Sequence, residues 1–112
     1  MPTTLFKPKI LAGQSLSNAV DCSGGDLMYM VMPANWHSAN ISFQASPDNS
    51  VFGDIHESNG MEVMYPCLAG TCVQFSPGLT AVKGSWIKIR SGSRDHPVVQ
   101  DADCEFIIVV GS

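Results

Sequence analysis

The stretch Ala39–Tyr65, ANISFQASPDNSVFGDIHESNGMEVMY, decides the fold. Ile41, Phe43 and Ala45 alternate with Asn40, Ser42, Gln44 and Ser46, the period-two pattern of a half-buried strand. Pro47-Asp48-Asn49-Ser50 then supplies residues that preset or tolerate turn dihedrals. Val51–Glu57 reads as a second strand, and Ser58-Asn59-Gly60 carries the Asn-Gly pair that favours a tight hairpin turn. Met61, Val63 and Tyr65 resume the alternation in a third strand. Phe52 and Ile55 are three apart, on opposite faces of an unbroken strand, so a bulge at Gly53 is expected to bring both inward.

The flanks continue this pattern. Ser85–Ser91 (SWIKIRS) places Ile87 and Ile89 inward and Trp86, Lys88 and Arg90 outward. Asp103–Val110 closes the chain as a strand with Phe106, Ile108 and Val110 on its inner face. Towards the amino terminus, Ile10–Val20 reads as a strand, followed by a short one around Ser17–Asp21 and a turn at Ser23-Gly24-Gly25. Asp26–Met32 (DLMYMVM) is apolar on both faces, with Leu27, Tyr29 and Val31 on one and Met28, Met30 and Met32 on the other. Such a strand is either covered on both sides within the domain or packed on another subunit, and methionine adapts to irregular binding faces. Pro33–Ser38 forms a loop that buries Trp36. Pro66–Thr71 is a turn before a strand at Cys72–Phe75. Ser76-Pro77-Gly78 breaks that strand, and Leu79–Gly84 is a connection with room for one helical turn. Eight or nine strands spaced by turns predict an all-β, antiparallel, jelly-roll-like β-sandwich. Residues 10–112 form its single domain, preceded by an extended arm, residues 1–9, that orders on a neighbour.

Composition narrows the function. Of 112 residues, 45% are hydrophobic and 14% charged, against roughly 25% charged in an average globular domain. A surface so poor in charge points to cover by a partner. The net charge of −4 and pI near 5.0 argue against a general nucleic-acid binder. No apolar run reaches bilayer-spanning length, so no membrane partner is expected. MPTTLFKPKI lacks the apolar core of a secretory signal, so folding in a cytosol is expected, with Cys22, Cys67, Cys72 and Cys104 as free thiols.

Catalytic and metal chemistry find little purchase in the pattern. His37, His56 and His96 are scattered, and Cys67 and Cys72 sit at the wide limit of zinc-knuckle spacing. A four-thiolate site needs Cys22 and Cys104 beside them. No serine lies in a G-x-S-x-G turn and no cysteine in a nucleophile signature. Asp54 with Glu57, or Asp101, Asp103 and Glu105, could pair as carboxylates, but a solvated acidic face is the simpler reading. Trp86, Lys88 and Arg90, with Arg94 in the following loop, form a basic-aromatic cluster. It suits a sugar, an acidic protein surface or solvent. No enzyme activity and no cofactor are expected.

Several short motifs extend over Ile10–Val110. They are Gly13-Gln14-Ser15-Leu16-Ser17 with Val20-Asp21 and Ser23-Gly24-Gly25, then Met32-Pro33-Ala34-x-Trp36 and Ile41-Ser42-Phe43-Gln44-x-Ser46-x-Asp48. Lys88-Ile89-Arg90-Ser91-Gly92-Ser93 and Pro97-Val98-x-Gln100-x-Ala102-Asp103 complete them. In these the chain resembles a group of small virion structural proteins of tailed bacteriophages. The resemblance implies a β-sandwich capsid decoration (cement) protein, made in the host cytoplasm and located on the capsid surface. It also implies attachment to the major capsid protein and self-association, a trimer being favoured over a dimer. The four cysteines depart from the Val, Leu, Ala or Thr expected in that group. The contact residues expected are Thr3, Leu5 and Phe6 in the arm, Met28, Met30 and Met32, and Trp86, Lys88 and Arg90. Three other readings stand beside this one. The pattern around Trp36–Asp48 also resembles galactose-binding-domain sandwiches, which implies a carbohydrate-binding module. A tail or head-completion protein is a third possibility, and a small hydrolase the remote fourth.

Overall fold

The computed structural model describes residues 3–22, 24–75 and 85–111. Ser23 of the expected turn, the Ser76-Pro77-Gly78 break and the Leu79–Gly84 connection lie outside the described residues. The described chain is all-β, with eleven strands. These are β1 (Thr3–Phe6), β2 (Lys9–Ile10), β3 (Val20–Asp21), β4 (Asp26–Val31), β5 (Ala39–Ser46) and β6 (Gly53–Asp54). There follow β7 (Met64–Cys67), β8 (Cys72–Gln74), β9 (Trp86–Ser91), β10 (Cys104–Glu105) and β11 (Ile107–Gly111). Every pairing is antiparallel.

Strand β5 organises one sheet. Its one edge carries β9, from Ile41 opposite Ser91 to Ser46 opposite Trp86, and β3 continues the sheet beyond β9. Its other edge is shared, with β7 alongside Ala39–Ser42 and β6 alongside Gln44 and Ala45. The second sheet runs β1-β11-β4-β8, and a two-stranded pair, β10-β2, lies beside them. Inner-face residues of both large sheets share one core. Ile41, Phe43, Ile87 and Ile89 come from the first, and Leu27, Met30, Ile108 and Val110 from the second. The arrangement is therefore sandwich-like, as the alternation predicts. Edge-on ring contacts tie it together, Phe43 to Tyr65 at 5.5 Å, Phe43 to Phe75 at 6.0 Å and Trp36 to Phe106 at 5.4 Å.

The expected turns form as well. Asp48 accepts hydrogen bonds from the Ser50 and Val51 amides and the Ser46 hydroxyl, and Asn49 sits at φ 61°. Short polar side chains tolerate that left-handed conformation. At the next hairpin the Gly60 amide donates to the Glu57 carbonyl at 2.9 Å with Gly60 at φ 88°.

Several local expectations give way to tertiary constraints. There are eleven strands rather than eight or nine, partly because Asp103–Val110 is broken at Phe106, whose amide donates to the Pro8 carbonyl at 2.9 Å between β10 and β11. Gly53 makes no bulge, since Gln44 faces Asp54 and Ala45 faces Gly53 in regular register. Ile55 is buried, whereas Phe52 is half-buried with the Lys88 ammonium 4.3 Å above its ring. The amino-terminal segment is extended but not detached. Thr3–Phe6 pairs with Gly111–Ile108, Phe6 packs against the core, and Pro8 and Ile10 are buried.

One buried amide fastens the loops. Gln100 is fully buried; its Oε1 accepts from the His37 amide at 3.0 Å, and its Nε2 donates to the His37 carbonyl at 3.1 Å and the Ser91 hydroxyl at 2.9 Å. Its backbone exchanges hydrogen bonds with Gly13 and Gln14.

Because β1 covers one edge of β11 and anchors Phe6, deleting residues 1–6 should destabilise the isolated domain by about 2 kcal/mol. Urea unfolding measures this, and an unchanged midpoint would mean that β1 is a dispensable arm.

Candidate interaction surface

The face that β4 presents depends on an irregularity in its pairing with β11. Val109 lies opposite Tyr29, but the next residue, Val110, lies opposite Leu27, so Met28 is an extra residue in β4. Such a bulge turns the alternation by one step. Leu27, Met30 and Met32 therefore all point inward and are buried, while Met28 and Tyr29 both point out, 46% and 39% exposed. The expectation that Met28, Met30 and Met32 share a face is overturned, and Met30 and Met32 are core residues. Met28 folds over Gly111, where a β-carbon would come within 2.5 Å of its sulfur.

Around Met28 and Tyr29 the outer face of the β1-β11-β4-β8 sheet is apolar, with the exposed Asp26, opposite Gly111, at one end of β4. Leu5, paired with Val109, is 55% exposed. Val31 and Ile107, opposite each other, are half-buried, and Val109 is buried between its neighbours. Cys72 and Gln74 on β8 face Val31 and Tyr29, and with Met28 and Tyr29 they line an open depression. Thr3 shares the parity of Leu5 and falls on the same face, whereas Thr4 and Phe6 have the inward parity. Thus Thr3, Leu5 and Met28, expected as contact residues, come together. Tyr29, Val31, Ile107, Val109, Cys72 and Gln74 join them although the sequence did not single them out as contacts. Their signal was present. The run Ile107-Ile108-Val109-Val110 is as two-faced as DLMYMVM, and such runs side by side leave one apolar face uncovered.

Trp86, Lys88 and Arg90 share the outer face of the other sheet, as predicted, but Arg90 does not meet solvent. It is 6% exposed. Its Nε donates to the Ser42 hydroxyl at 3.0 Å, its Nη1 to Asp54 and its Nη2 to Glu62 at 2.6 Å. The Ser42 hydroxyl donates onward to the Gly92 carbonyl at 2.9 Å. Arg94 adds an ion pair to Asp54 at 3.4 Å, and its amide donates to Glu62. The hairpin that carries Asp54 and Glu62 thus lies over the guanidinium. Lys88 is engaged by Phe52. The cations of this face are largely neutralised within the chain.

Three of the four thiols are unsuited to exposed chemistry. All four cysteines are free, and only Cys72 is exposed. Burial, aided by Asp21, pushes the Cys22 thiol up to about 12, and burial pushes Cys67 up to about 11. Burial and the nearby Asp101 and Asp103 raise Cys104. Thiolate is the nucleophile and the metal ligand, so these three are held in the unreactive form near neutral pH. Among the described residues no group of three or more His, Cys, Asp or Glu side chains is placed to hold a metal ion, so the four-thiolate arrangement is not formed.

Comparison with protein-family models, with curated proteins and with solved structures gives no match to this chain.

Truncating Arg90 to alanine would leave Asp54 and Glu62 only their contacts with Arg94 and Gln44 and should cost about 3 kcal/mol. Burial works to raise the Asp54 carboxyl, but hydrogen bonds from Arg90 and Gln44 and the charges of Arg90 and Arg94 outweigh it and hold the group below its usual value of 3.8. A carboxyl with a depressed folded-state pKa stabilises the fold above its unfolded pKa and loses that contribution as pH falls through the folded value. Urea midpoints should therefore fall below pH 3.8 in the wild type. That acid-side loss should be smaller in Asp54→Asn, and equal losses in both proteins would remove Asp54 from the account.

Proposed function

We propose that this chain is a phage virion structural protein, most simply a capsid decoration protein, that seats the outer face of its β1-β11-β4-β8 sheet on the major capsid protein. The observation that carries the reading is the exposed apolar face formed by Leu5, Met28 and Tyr29 around half-buried Val31 and Ile107. Contiguous exposed apolar surface on a folded domain marks an interaction site. The sequence resemblance to phage virion proteins supplies the kind of partner.

A cement protein acts by area. Each 100 Å² of apolar surface removed from water contributes about 2.5 kcal/mol before the costs of association. The apolar centre of the face has no ion to desolvate on docking, and Asp26 lies at its margin. The Trp86 face is the weaker candidate for contact, because Lys88 lies on Phe52 and Arg90 is held by Asp54 and Glu62.

The test is attachment of purified protein to undecorated heads. Placing an ammonium at the centre of the face with Tyr29→Lys should weaken attachment by about tenfold or more, because that charge must be desolvated. Trp86→Ala, on the other sheet, should attach like the wild type. Equal attachment of Tyr29→Lys and wild type would reject this face, and failure of the wild type to attach would reject the decoration role.

A further inference from the structure

The edge of the same sheet points to a second, separable contact. Strand β1 stands at the end of the order β1-β11-β4-β8, so one of its edges pairs with β11 and the other has no strand partner among the described residues. Soluble proteins protect such edges with lysine, proline, bulges or an overlying loop, because an open row of amides and carbonyls templates another strand. Thr3-Thr4-Leu5-Phe6 has none of the sequence devices. It contains no charge and no proline, its register with β11 is regular across all four residues, and Thr3, Thr4 and Leu5 are exposed. Lys7-Pro8 follows only after the strand has ended.

We infer that β1 pairs antiparallel with β1 of a second copy of this chain, joining two four-stranded sheets into one continuous eight-stranded sheet across a twofold axis. Charge favours a second copy as the occupant. The chain carries a net −4, so two copies repel wherever their acidic surfaces meet, but this edge brings together only Thr, Leu and Phe. The antiparallel arrangement also sets the two Lys7 side chains beyond opposite ends of the paired strands, five residues or about 17 Å apart along the strand. A parallel arrangement would place them side by side. Pairing of one edge with itself is isologous and closes at two copies. Stable interfaces bury about 800 Å² on each partner, more than a four-residue edge supplies, so the pair is reversible and depends on concentration. The inference goes beyond the decoration role and does not depend on what the sheet face contacts.

Sedimentation velocity over a dilution series of the full chain tests it, alongside Thr4→Lys and Leu5→Lys, which put a cation on the edge. The wild type should pass from the monomer mass to twice that mass as concentration rises. Both variants should remain monomeric with the wild-type thermal midpoint. For a variant that lost the fold, amide exchange on the wild type replaces it: the Thr3–Phe6 amides should gain protection with concentration while those of β5 stay constant. A wild type that stays monomeric, closes at three copies, or dimerises equally well with Thr4→Lys overturns the inference. Because heads are absent from this experiment, its failure is distinct from failure of the decoration role.

Discussion

Between Val109 and Val110 the ladder to β4 passes over Met28, and the character of both faces of that sheet follows from this one extra residue. Without it, strict alternation would put Leu27, Tyr29 and Val31 on one side and Met28, Met30 and Met32 on the other. With it, Leu27 and Met30 both enter the core, Met32 follows, and Met28 and Tyr29 are left outside as neighbours. The sheet thereby fills its interior with side chains of adequate volume and at the same time exposes an apolar face. A domain with so few charges has little else to dress that face with.

Polar groups are spent elsewhere, on fixing the loops. Gln100 holds the loop before β5 through His37 and reaches β9 through Ser91. Arg90 holds the β6–β7 hairpin through Asp54 and Glu62. Each is a buried polar side chain with its partners in place, and removing one partner leaves the other desolvated and unpaired. These clamps hold the loops against the sheets and match Arg90 and Arg94 to carboxylates within the chain. In the proposed decoration role, a preorganised face would lose little conformational entropy on docking.

Much of the fold was legible because it rests on short-range pattern. The alternation through Ile41 and Phe43, the turns at Asp48-Asn49 and Asn59-Gly60, and the inward Ile87, Ile89, Phe106, Ile108 and Val110 all stand as read. What escaped depended on partners distant in sequence. The β4 bulge is set by β11, some eighty residues away in the chain. Arg90 reads as an outward residue of a two-sided strand, and only the position of the hairpin bearing Glu62 makes it buried. Thr3–Phe6 looks like a loose arm because it has little apolar content, yet its strand pairing comes from the exposed edge of β11. The exposed apolar face was half legible for the same reason: Thr3, Leu5 and Met28 lie on it, but Met30, Met32 and Arg90 are interior.

The central claim is that the outer face of the β1-β11-β4-β8 sheet is built for contact with a shell. A cryo-electron microscopy reconstruction of the particle tests it most directly. The account predicts many copies on the head exterior, with Leu5, Met28 and Tyr29 at the contact and Trp86 turned away from it. A reconstruction with that face open to solvent on every copy, or with the protein confined to a single ring at the tail vertex, would contradict it.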